Sequence, residues 1–175
     1  MDRAMPGLMF RGMSLLFRIR DLISPPSDML AEVDILPGYR VLDYGCGPGA
    51  FVPEVSKRVG PSGRVYALDI HPLAVARVQA LVRCEGLDNV ETICSGCQTG
   101  LADDSLDVVL LYDIFHMLSE QDAVLAELRR VLKPGGTLSL QDPHMQEEDI
   151  LARVAESGSF SFVQGGIKTF SFVPT

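Results

Sequence analysis

A glycine-rich stretch preceded by an acid is the part of this sequence best suited to hold a ligand. Residues 41–51 run Val-Leu-Asp-Tyr-Gly-Cys-Gly-Pro-Gly-Ala-Phe, which predicts a buried strand ending at Asp43, a tight turn and a helix from about Ala50. Glycine recurs at alternate positions of the turn, namely Gly45, Gly47 and Gly49. Because glycine has no Cβ, the backbone can bend sharply there and a ligand can lie directly against it. The helix start behind the turn adds free N–H groups. A strand-to-helix turn that binds nothing is the structural alternative.

The spacing and charge of this stretch indicate which ligand it would take. The dinucleotide fingerprint is G-x-G-x-x-G, whereas here the third glycine comes one residue early. Asp43 stands two residues before the first glycine, and a carboxylate there would repel a pyrophosphate. It suits a ligand that carries positive charge. S-adenosylmethionine has an ammonium and a sulfonium group and no phosphate, so the pattern favours it over NAD.

The segment V-L-D-Y-G-C-G-P-G resembles the first motif of the class I S-adenosylmethionine-dependent methyltransferases. The resemblance extends over roughly residues 30–142 and is greatest to the small-molecule group that includes the menaquinone and ubiquinone C-methyltransferases. It implies an α/β, Rossmann-like fold with a seven-stranded mixed sheet, strand order 3-2-1-4-5-7-6, strand 7 antiparallel and helices on both faces. It also implies S-adenosyl-L-methionine as the cofactor.

Asp69 closes a second predicted strand about twenty residues after the glycine turn, a spacing that suits a carboxylate on ribose hydroxyls. The resemblance gives Asp69 that role and places Ile70 on the adenine face. Capping of the next helix, before His71 and Pro72, is the structural alternative for Asp69. Where the family commonly has an aspartate for the adenine amino group, this chain has Ser95. A hydroxyl accepts that bond more weakly than a carboxylate.

The residues predicted to contact the cofactor come from the ends of the first four predicted strands. Gly96 is expected to offer a backbone N–H to the ring, Tyr44 to line the methionine pocket, and Tyr112 to follow the fourth strand. The full set is Asp43, Tyr44, Gly45, Cys46, Gly47, Gly49, Asp69, Ile70, Ser95, Gly96 and Tyr112.

Two histidines are candidates for the catalytic side of the site. His116 follows the fourth predicted strand and His144 the fifth, which places both at the carboxyl edge of the sheet, where such folds bind ligands. An imidazole has an unperturbed pKa near 6.5 and can act as a general base. Methyl transfer chiefly needs a well-positioned nucleophile, so a structural or merely exposed histidine is the alternative for each. Asp113 is a further neighbour of the site.

The cysteines do not predict a metal site. Cys94 and Cys97 form a C-x-x-C pair, but a zinc site needs a second pair with suitable spacing. The remaining cysteines are Cys46, inside the glycine turn, and Cys84. We therefore expect no metal. The C-x-x-C pattern is either a coincidence of sequence or a redox-active pair.

Composition narrows the class of protein. A chain of 175 residues with 47% hydrophobic residues is expected to form one domain, residues 1–175. A formal charge of −8 argues against broad nucleic-acid binding, which relies on Lys and Arg. The sequence has neither an apolar run of the ~18 residues that a membrane span needs nor the pattern of a signal peptide. Four cysteines outside any disulfide framework fit a cytoplasmic protein.

An amphipathic helix is predicted for residues 8–23, in a segment, 1–26, that precedes a cofactor-binding core, 27–175. Three interpretations are open: a helix packed on the core, a lid over the substrate, or a contact for a membrane surface or partner. The leading function is methyl transfer to a small-molecule acceptor. A nucleotide-dependent oxidoreductase and a cofactor-binding partner subunit without turnover are the alternatives.

Overall fold

A seven-stranded sheet forms the centre of the protein in a computed structural model that describes residues 26–175. The strands lie in the order β3-β2-β1-β4-β5-β7-β6. β7 runs antiparallel to both of its neighbours, while β1 to β5 are parallel. The predicted sheet order and the antiparallel seventh strand are confirmed. The strands are β1 Arg40–Tyr44, β2 Arg64–Asp69, β3 Val90–Cys94, β4 Leu106–Tyr112, β5 Leu132–Gln141, β6 Phe160–Gly165 and β7 Phe170–Pro174.

Five helices and one 3-10 turn accompany the described strands. They are α1 Pro26–Leu30, α2 Val52–Val59, α3 Pro72–Glu85, the 3-10 turn Phe115–Met117, α4 Gln121–Val131 and α5 Glu147–Glu156. From the sequence, Ser119 is expected to cap a helix over residues 119–132. This expectation is wrong, because α4 follows Glu120 and no side chain caps it. Its start is fixed instead by the Gln121 amide, which donates to the Phe115 carbonyl at 2.9 Å. Ser27 and Asp28 likewise lie within α1 rather than capping it.

Burial on both faces of the sheet explains the apolar composition of its central strands. Along β4, Val109 and Leu111 join a core with α4 and α5, whereas Val108 and Leu110 join a second core with α1 and α2. Successive side chains of a strand point to opposite faces, so a strand covered on both sides has to be apolar throughout. This layering leaves the ends of the strands as the places where polar residues can collect.

The carboxyl ends of the parallel strands meet at one edge. Tyr44 at the end of β1 lies beside Leu68 of β2 and Leu111 of β4, and Tyr112 at the end of β4 lies beside Gln141 of β5. The loops after these strands therefore emerge together, and they carry the predicted site residues.

The hairpin of β6 and β7 is tied to the turn after α1 by a single carboxylate. Glu32 accepts hydrogen bonds from the backbone N–H groups of Ile167, Lys168 and Thr169 and from the Thr169 hydroxyl. The predicted turn at Gly165 and Gly166 is present, with the Gly166 N–H donating to the Thr169 carbonyl at 2.8 Å. Glu32 thus fixes the loop that connects the last two strands.

The helix predicted for residues 8–23 lies outside the described residues, so its three interpretations stay predictions. Over residues 26–175, none of the helices has both the length and the apolar character needed to cross a membrane.

Candidate cofactor cavity and histidine–aspartate cluster

A cavity of about 350 Å³ opens at the carboxyl edge of the sheet. Ten of the predicted cofactor residues contribute to its wall: Asp43, Tyr44, Gly45, Cys46, Gly47, Asp69, Ile70, Ser95, Gly96 and Tyr112. The structure therefore brings together side chains that lie up to 69 positions apart in the sequence, taking Asp43 and Tyr112 as the extremes. Gly49, the eleventh, is not part of the wall.

Two glycines of the turn have separate structural reasons to be glycine. Gly45 has a φ of +77°, and a Cβ there would collide with the Ile114 side chain. Gly49 has a φ of +86°, and a Cβ there would lie 3.0 Å from Val78 of α3. Positive φ and close approach both exclude larger residues. Gly49 thus lets the turn pack against α3, and its contact with a cofactor stays a prediction.

Asp69 connects the end of β2 to the glycine turn. Its Oδ2 accepts from the Gly47 N–H at 2.9 Å, and its Oδ1 accepts from the His71 N–H at 2.7 Å. The alternative role as a helix cap is taken by His71, whose Nδ1 accepts from the Leu73 N–H at 3.1 Å. Burial raises the pKa of Asp69, although the two N–H donors oppose that shift. The carboxylate is held in place with further lone pairs directed along the cavity wall.

Asp43 is the electrostatic anomaly of the cavity. Its carboxyl group is almost fully buried, and within the described part of the chain its Oδ2 is a buried side-chain oxygen with no hydrogen-bond partner. Burial, together with the nearby charge of Asp69, raises the pKa of Asp43 to about 7. Burying a charge without a partner is costly. A cation placed in the cavity would supply the missing partner.

The loop after β3 forms the wall of the cavity opposite the glycine turn. The Tyr44 hydroxyl donates to the Gly96 carbonyl at 2.8 Å, which fixes this loop against β1. The Ser95 hydroxyl donates its proton to the Gln98 carbonyl. Since that hydrogen bond uses the Ser95 proton, the lone pairs of its oxygen are available to accept a bond from a ligand.

Glu127 of α4 anchors the same loop from outside. It accepts from the Thr99 N–H at 2.8 Å and from the Thr99 hydroxyl at 2.7 Å. Arg130 donates to both of its carboxylate oxygens at 2.8 Å. These bonds, those of Arg130 first, lower the pKa of Glu127 to about 2. The loop that carries Ser95 and Gly96 is thereby held in one position.

Tyr112 and Cys46 complete the inner wall as buried, neutral groups. The Tyr112 hydroxyl lies 2.7 Å from the Ser139 hydroxyl, and its ring meets Phe51 edge-on with centroids 5.1 Å apart. Burial raises the pKa of both the Tyr112 phenol and the Cys46 thiol. Neither group therefore contributes charge near neutral pH.

The two candidate catalytic histidines lie in a histidine–aspartate cluster, composed of Asp113, His116, Asp142 and His144, beside the cavity. His116 Nδ1 lies 2.8 Å from Asp142 Oδ2 and 2.9 Å from Oδ1. The His144 ring lies 4.5 Å from that of His116, and its Nε2 is 3.5 Å from Asp113 Oδ1. Asp113 contributes to the cavity wall, but neither histidine does. The histidines thus lie at the rim of the cavity rather than inside it.

Sequence reasoning missed several residues of this region. Asp142 carries no predicted role, yet its side chain is fully buried and contacts His116. Met29, Ile114 and Glu120 belong to the cavity wall although no motif marks them. The signal for Asp142 was its position directly after β5, because parallel strands end at one edge.

The C-x-x-C pair does not form a disulfide. Cys94 is exposed, Cys97 is half-buried, and all four cysteines are free thiols. Cys94 ends β3 and is accessible to solvent, whereas Cys97 contributes to the cavity wall.

Comparison with known proteins gives a consistent family. The family described as a methyltransferase domain matches residues 35–166. An uncharacterized 37.1 kDa protein from a Streptomyces fradiae transposon is 39% identical over 67% of this chain and 34% of its own length. A ubiquinone/menaquinone biosynthesis C-methyltransferase of Burkholderia cenocepacia is 34% identical over 61% of this chain and 44% of its own length. The chain thus spans less than half the length of these curated relatives. A SAM-dependent methyltransferase structure from Aquifex aeolicus is 29% identical, with a TM-score of 0.76 over 90% of this chain and 96% of that one.

Proposed function

The chain belongs to the methyltransferase-domain family, and on that premise we propose that it transfers a methyl group from S-adenosylmethionine to a small-molecule acceptor. The observation that carries the proposal is the buried, unpartnered oxygen of Asp43 on the cavity wall. An ammonium-bearing ligand would satisfy it, whereas a pyrophosphate would be repelled. The same charge argues against the oxidoreductase alternative.

We assign the cofactor by region of the cavity. Asp69 would hold the ribose hydroxyls, since its oxygens already lie beside Gly47 on the wall. Ile70, Ser95 and Gly96 would surround the adenine, with the Ser95 oxygen as acceptor for its amino group. The methionine end would lie near the glycine turn, where Tyr44, Gly45 and Cys46 stand beside Asp43. Gly47 and Tyr112 complete the proposed contacts, and Gly49 would act through the shape of the turn.

When bound, S-adenosylmethionine supplies a methyl group on a sulfonium that a nucleophile can displace in line. The residues of this chain contribute position and charge. The apolar wall, which includes Met29, Ile114 and Met117, would exclude water from the reacting atoms. Holding two reactants in line can supply several kcal/mol of the barrier reduction.

His116 and His144 would contact the acceptor at the rim. The buried Asp142 carboxylate fixes His116 Nδ1, which leaves Nε2 as the nitrogen available to an acceptor proton. Such an arrangement suits an acceptor that loses a proton during methylation. A small molecule is the acceptor class favoured by the likeness to a C-methyltransferase and by the acidic charge of the chain.

The Asp69→Ala variant tests the cofactor assignment. We expect its affinity for S-adenosylhomocysteine, measured by calorimetry, to fall at least about 30-fold, because a charged hydrogen-bond acceptor is worth roughly 2 kcal/mol or more. Glu148→Ala, an exposed acid in the first turn of α5, is the matched control and should bind like the native protein. Unchanged affinity in Asp69→Ala, or a native protein that binds NAD in preference to S-adenosylhomocysteine, would overturn the proposal.

A further inference from the structure

We propose that Asp113, His116 and Asp142 bind a divalent transition-metal ion at the rim of the cavity. Each of these residues offers one ligand atom, and the three atoms lie within 4.8 Å of one another. They come from the segments after β4 and β5, which the parallel sheet brings to the same edge. The cysteine spacing predicts no metal site. This site uses imidazole and carboxylate instead.

The distances in the cluster suit a shared ion. Zinc and similar ions bind nitrogen and oxygen at about 2.1 Å, so two donors on one ion lie about 3.0 Å apart at right angles and about 3.4 Å apart in the tetrahedron that zinc prefers. His116 Nδ1 and the Asp142 carboxylate oxygens are separated by 2.8 and 2.9 Å. Asp113 completes the set from the side of the cavity. His144 Nε2 lies 3.5 Å from Asp113 Oδ1, at the edge of the cluster.

The surrounding backbone holds the proposed ligands in position. Asp142 Oδ2 accepts from the His116 N–H at 2.9 Å, and Asp142 Oδ1 accepts from the His144 N–H at 3.0 Å. Hydrogen bonds to a ligating carboxylate orient it and are a recurrent part of metal sites. The side chain of Asp142 is fully buried, while 27% of the His116 side chain is exposed. An ion therefore has a rigid inner ligand and a route from solvent.

The donor types select the class of ion. A mixed imidazole and carboxylate set suits zinc, cobalt, manganese or iron, whereas magnesium and calcium prefer oxygen alone. Asp113 also forms part of the cavity wall, so the ion would stand beside the cofactor cavity. When the ion is bound, His116 acts as its ligand. His116 can act as a proton acceptor only in the ion-free protein.

Metal titration of the full chain, untagged and treated with a chelator, tests this site without any methyl acceptor. We expect Co²⁺, followed by visible absorption, and Zn²⁺, followed by calorimetry, to bind with one ion per chain. His116→Gln and Asp113→Asn should each weaken binding at least tenfold. Asparagine is chosen at position 113 because it tolerates the positive φ of 57° found there.

A cysteine variant separates this site from the C-x-x-C pair. In Cys94→Ser/Cys97→Ser the affinity should be that of the native protein, and the Co²⁺ spectrum should lack thiolate charge-transfer bands. Native-like circular dichroism and cooperative urea unfolding of His116→Gln and Asp113→Asn would show that both variants are folded. The proposal is overturned by the absence of saturable binding, by native affinity in both ligand variants, or by loss of binding in the cysteine variant.

Discussion

Glu127 and Asp43 are two carboxylates with opposite surroundings, one that stabilises the fold and one that faces the proposed ligand. Glu127 receives four hydrogen bonds from Thr99 and Arg130, and its pKa falls to about 2. Asp43 is more deeply buried, has one oxygen without a partner, and its pKa rises to about 7. Where a carboxylate holds the fold together, the chain supplies the donors. Where the protein supplies no hydrogen-bond donor to a buried carboxylate oxygen, we expect a ligand to supply one.

Asp69 stands between these two cases. It accepts two backbone N–H bonds, yet burial still raises its pKa. Its hydrogen bond with Gly47 positions the glycine turn. The side chain also contributes to the cavity wall, where it can accept hydrogen bonds from a ligand. From Glu127 through Asp69 to Asp43, the number of hydrogen bonds supplied by the protein falls. We expect the part played by a ligand to increase in the same order.

The strongest test of the comparison is Asp43→Asn, which should affect binding and stability in opposite directions. Affinity for S-adenosylhomocysteine should fall at least about 30-fold, since a charge-assisted contact worth roughly 2 kcal/mol or more is lost. The ligand-free variant should be more stable than the native protein by roughly 4 kcal/mol at pH 8, because each unit of pKa shift corresponds to about 1.4 kcal/mol. Urea unfolding and calorimetry measure the two effects.

The pH dependence of Asp43→Asn gives the sign of the effect. The folded pKa of Asp43 is about 7, above the usual value of 3.8, so ionisation penalises the folded state. The penalty is absent below about pH 4, grows between pH 4 and 7 and is complete above pH 7. The stabilising effect of the variant should therefore vanish at pH 4. The exposed Asp34→Asn is the control, and equal stability of Asp43→Asn and native protein at pH 8 would contradict the comparison.

Glu127→Gln should have a smaller effect, and its sign should be opposite. We expect a loss of stability of roughly 2 kcal/mol at pH 7, because hydrogen bonds to a charged group are weakened. Since the folded pKa of Glu127 lies below the usual 4.5, its stabilising contribution is present above about pH 4.5 and is lost as the pH falls towards 2. Urea unfolding at pH 7 and at pH 3 should show the difference between variant and native protein shrinking in acid.

The same variant also bears on the cavity. Loosening Thr99 should weaken S-adenosylhomocysteine binding about fivefold through Ser95 and Gly96, a modest loss of positioning. Glu148→Gln, exposed on α5, should change neither quantity. A Glu127→Gln protein as stable as the native one would show that the carboxylate is not a structural support.

Glu32→Gln should have the smallest effect, confined to the hairpin. Burial alone would raise the pKa of Glu32, but the N–H groups of Lys168, Thr169 and Ile167 outweigh it, and the pKa is lowered. We expect a stability loss of about 1 kcal/mol and faster amide hydrogen exchange at residues 166–169, with cofactor affinity unchanged.

The neighbouring Asp28→Asn is the matched control for Glu32→Gln. Asp28 forms an exposed ion pair with Lys168 at 3.0 Å, and such pairs contribute little. If Asp28→Asn accelerated exchange at residues 166–169 as much as Glu32→Gln does, net charge rather than the hydrogen bonds of Glu32 would hold the loop.

The sheet and the glycine side of the cavity were predictable from sequence because short-range patterns specify them. The run from Asp107 to Tyr112 predicts a strand buried on both faces, and the glycine turn marks the end of β1. Their assembly in the order 3-2-1-4-5-7-6 came from the family resemblance, not from periodicity. Asp43 and Asp69 were identifiable because each lies at the end of a predicted strand.

The other side of the site depends on contacts between distant residues and was not predictable in detail. Asp142 meets His116 across 26 positions, and Glu127 meets Thr99 across 28. No local pattern encodes such pairs, because they result from how loops and helices pack. The incorrect cap at Ser119 has the same origin: the start of α4 is fixed by the 3-10 turn at Phe115, which periodicity does not reveal.

The contact between Gly45 and Ile114 has a consequence for how such a chain can evolve. The Ile114 side chain fills the space that a Cβ at position 45 would need, and Ile114 begins the segment that leads to His116. A larger residue at 45 would need a smaller one at 114 and would also have to tolerate the positive φ, as asparagine does. We therefore expect positions 45 and 114 to covary among descendants of this chain. A change in the glycine turn would then be inherited together with a change in the segment that leads to the histidines.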